Sequence, residues 1–263
     1  MAEQEKQQMH PSFVNVIRQK ERIRAALSNI KHRIGVYSAK GGVGKTTVAI
    51  NLAYALSGAG KRVGILDADI DTPNVPLFLG IRDRMDTSGF PLKPFVKDGV
   101  RIASTAMIVD DSSRPIIWRG PMIVKMIGDF LENTDWGELD YLIIDLAPGT
   151  SDSPLTIMQL MELDGFIIVT TPQRTAAVNS IKSGIMAKRL NAPIMGIVEN
   201  MSRGEASEST AEAAKALDSR IIGTVRENSA YDSYSDSGKV PVIEDKAIME
   251  EFGRIADGIL REQ

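Results

Sequence analysis

The clearest chemistry in this chain lies in Gly41, Gly42, Gly44, Lys45 and Thr46. Glycines this close together leave no side chain in the way of a tightly curled backbone, so several N–H groups can aim at one centre. A lysine and a hydroxyl directly after them supply a cation for a polyphosphate and a ligand for its Mg²⁺. A helix expected over Thr46–Leu56, with Val48, Leu52 and Leu56 on one face, would point its positive end at the same spot. The residues expected to line this cradle are Gly41, Gly42, Val43, Gly44, Lys45, Thr46 and Thr47. The usual phosphate-loop pattern opens with glycine five positions before Gly44, where this chain has Ala39. The alternative reading is a glycine-rich turn that binds nothing.

Carboxylates complete the chemistry. The apolar run Arg62–Asp67 leads into Asp67, Asp69 and Asp71, and Tyr141–Asp145 is an apolar run ending in Asp145. Open α/β sheets bind ligands beyond the carboxyl ends of their strands, where both groups would stand. Close carboxylates repel one another unless a cation or its waters sit nearby. Thr46, Asp69 and Asp145 are the expected Mg²⁺ set, with Asp145 acting most often through a water. The turn Ala147-Pro-Gly-Thr can bring a backbone N–H to a γ-phosphate and move when that phosphate leaves. Two plainer readings stay open: Asp67–Asp71 as a capping and turn cluster ahead of a short helix, and Asp145 as a helix cap.

These residues need a scaffold of buried strands with helices between them. Short apolar runs at Ile34–Tyr37, Phe166–Thr170, Pro193–Glu199 and Arg220–Val225 read as further strands, and Thr175–Leu190 and Thr210–Leu217 as helices. Lys93–Val96 and Val100–Met107 are weaker strand candidates, and Val240–Ile243 is a candidate edge strand. A helix is expected over Pro115–Leu131, broken at Trp118-Arg-Gly-Pro. A last helix over Lys246–Arg261 carries Ile248, Phe252, Ile255 and Ile259 on one stripe. The fold class is α/β, a doubly wound and mostly parallel sheet flanked by helices. Residues 1–30 are expected to be a polar tail and a helix over Ser12–Ile30, and residues 31–263 a single nucleotide-binding domain.

Composition narrows the function classes. The chain has 263 residues and a net charge of −3, so its overall charge does not draw it to nucleic acid. It has no run of eighteen apolar residues and no signal-like start, so a cytoplasmic protein that neither crosses nor binds membrane is expected. It contains no cysteine, which excludes disulfides and thiolate-ligated metals.

The string Lys40-Gly-Gly-Val-Gly-Lys-Thr resembles the deviant Walker A motif of the MinD, ParA, nitrogenase iron protein and Mrp ATPases. Over about residues 28–245 the chain is similar to the Mrp/ApbC family. The strings that carry this are Ile30-Lys-His-Arg-Ile, Leu66-Asp-Ala-Asp-Ile, Trp118-Arg-Gly-Pro-Met, Pro148-Gly-Thr, Thr170-Thr-Pro-Gln and Gly196-Ile-Val-Glu-Asn-Met-Ser. The resemblance implies a slow, Mg²⁺-dependent ATPase that sandwiches ATP in a homodimer. By it, Lys40 reaches the partner's phosphates, Asp69 orients the attacking water, and Asp145 is the switch aspartate. Asn200 hydrogen-bonds adenine, and Arg226 is a further base contact.

The sequence departs from that family where a Cys-x-x-Cys would hold an iron–sulfur cluster: it reads Ser202-Arg-Gly-Glu-Ala-Ser-Glu-Ser. No intrinsic cluster is therefore expected. The first reading is an accessory factor in iron–sulfur protein maturation that works with iron–sulfur proteins or a cysteine-bearing homologue. The alternatives are a MinD- or ParA-like positioning ATPase that recruits cargo to a surface, and a metabolic enzyme that uses the γ-phosphate.

Overall fold

A computed structural model describes residues 11–86, 88–108, 120–150, 152–189 and 192–261. The expected polar tail at 1–10 and the break at Trp118 and Arg119 lie outside the described residues.

The chain opens with α1 (Pro11–Ala26), β1 (Ile30–Tyr37), α2 (Lys45–Gly58), β2 (Val63–Ala68) and α3 (Val75–Phe78). A hairpin of β3 (Phe95–Lys97) and β4 (Val100–Ser104) follows, then α4 (Gly120–Asn133) and β5 (Leu139–Leu146). Next come α5 (Asp152–Leu160), β6 (Gly165–Thr170), α6 (Arg174–Arg189), β7 (Ile194–Ser202) and α7 (Glu208–Ala216). The chain closes with β8 (Ile221–Arg226), α8 (Ala230–Asp236), α9 (Pro241–Glu244) and α10 (Lys246–Leu260).

The strands form one eight-stranded sheet in the order β3-β4-β2-β5-β1-β6-β7-β8. Only β3 runs antiparallel, against β4. Every residue of β2 and β6 is buried, as expected of parallel strands covered on both faces. The helices α9 and α10 pack with α2, α6 with α7, and α1 with α4 and α5. Each fully buried Leu or Ile of this core, such as Leu52, Leu56 and Ile65, adds about 1.5–3 kcal/mol of burial free energy. No helix among the described residues is long and apolar enough to cross a membrane.

The sheet order places the chemistry. From β1 the chain moves outward to β2 and β4, returns to β5 beside β1, and then crosses to β6 on the other side of β1. The carboxyl end of β1 is thus the switch point of the sheet, where such folds bind ligands. The glycine loop leaves the sheet there. Parallel registry sets Val36 beside Asp145, and Asp145 beside Asp67.

Several elements differ from the expectation. Val240–Ile243 is not an edge strand: Pro241 opens the short helix α9. Proline presets φ for the first helical position and lacks the donor a strand would need. The Asn51 side chain then accepts from Val242 N at 2.9 Å. The strand expected over Val100–Met107 stops at Ser104, whose hydroxyl accepts from Ala106 N at 3.2 Å and starts a 3₁₀ turn. α1 ends at Ala26, and Ile30 already belongs to β1. Ile23 and Leu27 are buried in the common core. The helix α5, which the sequence reading left out, starts just past the Ala147–Thr150 turn.

Candidate functional site

The loop between β1 and α2 is shaped by its own hydrogen bonds and glycines. Ser38 Oγ donates to Lys40 O at 3.0 Å. Gly42 and Gly44 have φ of 78° and 77°, the left-handed region that L side chains rarely enter. At Gly44 space is closed as well: a Cβ there would lie 2.1 Å from Asn200 Nδ2. Asn200, at the end of β7, donates to Val43 O at 2.9 Å and so lies across the loop. α2 begins at Lys45 and directs its free N–H groups toward the loop. Curled backbone N–H groups at a helix start are the arrangement that suits an anion.

The charged groups meet at its base. Lys45 Nζ lies 2.5 Å from Asp145 Oδ1, with the side chains 7% and 1% exposed. Thr46 Oγ1 donates to Asp145 Oδ2 at 2.7 Å. The loop lysine, the loop hydroxyl and the aspartate ending β5 therefore form one connected group. The hydroxyl and carboxylate oxygens are hard ligands of the kind that suit Mg²⁺ beside a polyphosphate.

Asp67 and Asp69 complete the wall. Asp67 is fully buried and accepts from Ser104 Oγ at 3.0 Å, from Val75 N at 3.1 Å and from Asp69 N at 3.3 Å. Burial, and then the neighbouring Asp145 charge, push its carboxyl well above the usual carboxylate range. Asp69 is raised by burial too, opposed by Thr72 and by the Lys45 charge. It accepts from Thr72 N and Thr72 Oγ1, both at 3.1 Å, which fixes the carboxylate within its own turn. Asp71, the remaining acid of this stretch, is exposed.

Two cavities open from the loop. One, of about 780 Å³, is lined by Gly42, Gly44, Thr47, Leu77, Met201 and Tyr231. The other, of about 460 Å³, is lined by Thr47, Asn200, Met201, Arg226 and Tyr231. They share Thr47, Met201, Tyr231 and Asp232, and together they are large enough for a nucleotide. Asn200 and Arg226 thus line the same cavity. Arg226 is held by Glu251, which accepts from its backbone N at 3.2 Å and pairs with its Nε at 3.5 Å. Lys40 is exposed at the start of the loop.

The geometry brings Lys45, Thr46 and Asp145 into direct contact, and Asp69 into their electrostatic neighbourhood. The sequence expectation gives Asp67 no role of its own beyond the acidic cluster, and it leaves Tyr231 out of the site. Asp67 ends an apolar run just as Asp145 does, and that signal was present in the sequence. Tyr231 lies on a short helix far along the chain and carried no signal.

The segment after Asn200 is closed by oxygen and nitrogen groups. The buried Glu199 carboxylate accepts from Ser207 N at 3.0 Å and from Ser207 Oγ at 2.6 Å. Ser202 Oγ donates to Glu205 O at 3.2 Å. No thiolate is available anywhere in the chain.

Comparison with known proteins agrees with this geometry. Residues 29–260 match the model of the ParA group described as the NUBPL iron-transfer P-loop NTPase. The chain is 42% identical over 262 residues to an iron–sulfur cluster carrier protein of Methanocaldococcus jannaschii, spanning 92% of this chain and 88% of the relative. It resembles the solved structure of a nucleotide-binding protein from Archaeoglobus fulgidus in complex with ADP. That pair has a TM-score of 0.75 and 36% identity, over 89% of this chain and 96% of the other. The cell-division ATPase MinD of Pyrococcus furiosus shares the fold, with a TM-score of 0.69 at 22% identity over 88% of this chain and 99% of that one. The chain therefore belongs to the NUBPL/Mrp-type iron–sulfur carrier family of P-loop NTPases, as a member without cysteine.

Proposed function

We propose that this protein is a Mg²⁺-dependent ATPase whose nucleotide state controls its pairing with a second copy, and that it serves iron–sulfur protein maturation without carrying a cluster. The observation that carries the reading is the buried contact of Lys45, Thr46 and Asp145 beneath a glycine loop, in a chain with no cysteine.

The residues divide the work. Backbone N–H groups of Gly41–Thr47 hold phosphate oxygens, and Lys45 moves from Asp145 toward the β- and γ-phosphates. Thr46 and Asp145 would hold Mg²⁺, which neutralises phosphate charge when bound. Asp69 orients the water that attacks in line. Its carboxylate is already fixed by Thr72, so its positioning costs little reorganisation. Asn200 and Arg226 receive the base. Lys40 reaches a second copy's phosphates, which ties ATP binding to pairing. Catalysis of this kind rests on position and charge rather than on a covalent intermediate.

The test is an anaerobic pull-down from the source organism with the Asp69→Ala protein loaded with Mg-ATP. The expected result is capture of iron–sulfur apoproteins or a cysteine-bearing relative. Capture of DNA-bound or membrane assemblies would overturn the maturation role in favour of a positioning ATPase. A parallel phosphate-release assay should give ADP and phosphate only with Mg²⁺ present. No release from wild type, alone or with the captured partner, would remove the ATPase reading.

A further inference from the structure

The Ala147–Thr150 turn is gripped by Tyr37, which ends β1, and by Ser38 directly after it. Gly149 N donates to Ser38 O at 2.9 Å. The Tyr37 hydroxyl donates to Gly149 O. Tyr37, the last residue of β1, and Ser38 directly after it thus hold both polar groups of one glycine. Gly149 sits at φ 79°, a conformation that suits glycine. The Tyr37 ring is fully buried and packs edge-on to Phe166 of β6, with centroids 6.2 Å apart.

The other side of the hydroxyl faces α6. Met186 Sδ is 3.9 Å away. Ser183 lies one turn earlier on the same helix, and its hydroxyl is buried without a hydrogen-bond partner. Three positions before Met186, it lies on the same face of α6 that meets the phenol, and its influence on the phenol's ionisation is downward. Burial outweighs that influence and pushes the phenol up to about 12, so it remains a donor at neutral pH. A buried hydroxyl without a partner is costly and calls for an explanation. A phenol has a single proton to donate, and here the Gly149 carbonyl holds it, with the weaker acceptors Met186 Sδ and Ser183 Oγ on the other side.

We propose that Tyr37 is a positioning residue of the nucleotide switch: its hydroxyl holds the Gly149 carbonyl in the resting turn and passes to Ser183 Oγ when the turn swings toward a γ-phosphate. This rests on the reading of the chain as an ATP-dependent switch. In the resting arrangement Gly149 N is occupied by Ser38 O, so it must leave that carbonyl before it can meet a phosphate. Tyr37 sets the cost of leaving, and Ser183 repays part of it. The device adds discrimination between ATP and ADP, since only a γ-phosphate draws the turn across.

Calorimetric titration of Mg-ATPγS and Mg-ADP into full-length wild type, Tyr37→Phe, Ser183→Ala and the double variant tests this. A carbonyl is a stronger acceptor than a hydroxyl, so Tyr37→Phe costs the resting turn more than the switched one. The preference for ATPγS over ADP should rise about threefold, the scale of part of one net hydrogen bond. Ser183→Ala removes only the switched-state partner and should lower that preference about threefold. In the Tyr37→Phe background the serine change should do nothing. A merely structural role for Tyr37 would move both nucleotides together and would show no such dependence. Equal shifts for both nucleotides, or a serine effect that persists without the phenol, overturns the proposal while leaving the ATP switch standing. Wild type that binds neither nucleotide removes both.

Discussion

Lys45 Nζ contacts Asp145 Oδ1 at 2.5 Å across 100 positions of sequence, and both groups are shut off from solvent. The pair joins the phosphate loop to the end of β5 and parks the lysine where phosphate oxygens would otherwise compete for it. A buried pair adds little net stability when whole, but losing one member leaves an uncompensated charge. Lys45→Ala should therefore destabilise the nucleotide-free protein by about 3–5 kcal/mol. Lys45→Met combined with Asp145→Asn should recover most of that, because no buried charge remains there. Urea unfolding of the three proteins measures it. Neither variant should bind ATP, and a Lys45→Ala protein as stable as wild type would show that the pair is not closed in solution.

Gly44 and Asn200 are locked together. The loop takes φ 77° at Gly44, and a Cβ there would stand 2.1 Å from Asn200 Nδ2. Gly44→Ala should push the amide off Val43 O and weaken ATP and ADP alike, by about tenfold or more, as more than one hydrogen bond is disturbed. Asn200→Ala should leave the loop conformation intact and reduce the preference for adenine over guanine nucleotides. Titration with ADP and GDP separates the two effects. An Asn200→Ala protein with unchanged base preference would place the base elsewhere in the cavities.

Lys40 is exposed while Lys45 is buried, so the two loop lysines stand in different environments before any nucleotide arrives. If Lys40 acts only on a second copy, Lys40→Ala should keep monomer stability within about 0.5 kcal/mol, as for other surface substitutions. It should also keep ADP affinity, and lose pairing with ATP. Sedimentation with Mg-ATPγS and with Mg-ADP is the check. Pairing that survives the substitution, or ADP affinity lost with it, would return Lys40 to the role of a loop residue within one subunit.

What the sequence made legible was local. The glycine loop, Lys45, Thr46 and Asp145 are short strings whose chemistry follows from spacing, and the structure puts them in contact. The contact between Asp67 and Asp145 depends on β2 lying beside β5 in a definite register, and strand order is not written in either string. α9 differs from its expected strand for a similar reason: the Val242 N–H finds its acceptor in Asn51, 191 positions away. Pro154 in the first turn of α5 broke the helical pattern locally, although proline is tolerated there. Tyr231 enters the cavities only because α8 packs against α3 and α9.

The packing of α8 against α3 rests on two glycines. Gly80 and Gly238 have φ of 62° and 64°, and a Cβ on either would lie 2.7 or 2.8 Å from the Cα of the other. Backbone meets backbone there, so no side chain can yield. Lys97 ties the contact from below, donating to Leu79 O at 2.6 Å and to Gly238 O at 2.7 Å. Tyr231, Asp232, Ser235 and Asp236 of α8 line the larger cavity together with Leu77, Phe78 and Gly80, so this contact borders that cavity. Gly238→Ala should cost about 1–3 kcal/mol from overpacking, with the left-handed φ adding to it. It should also weaken ADP binding through a faster off-rate, because the wall is displaced while the phosphate loop is untouched. Lys97→Met should loosen the same wall without a clash and reproduce the kinetic effect at a smaller loss of stability. Stopped-flow release of a fluorescent ADP analogue decides it: unchanged off-rates in both variants would mean that the α3–α8 contact holds the fold but not the nucleotide.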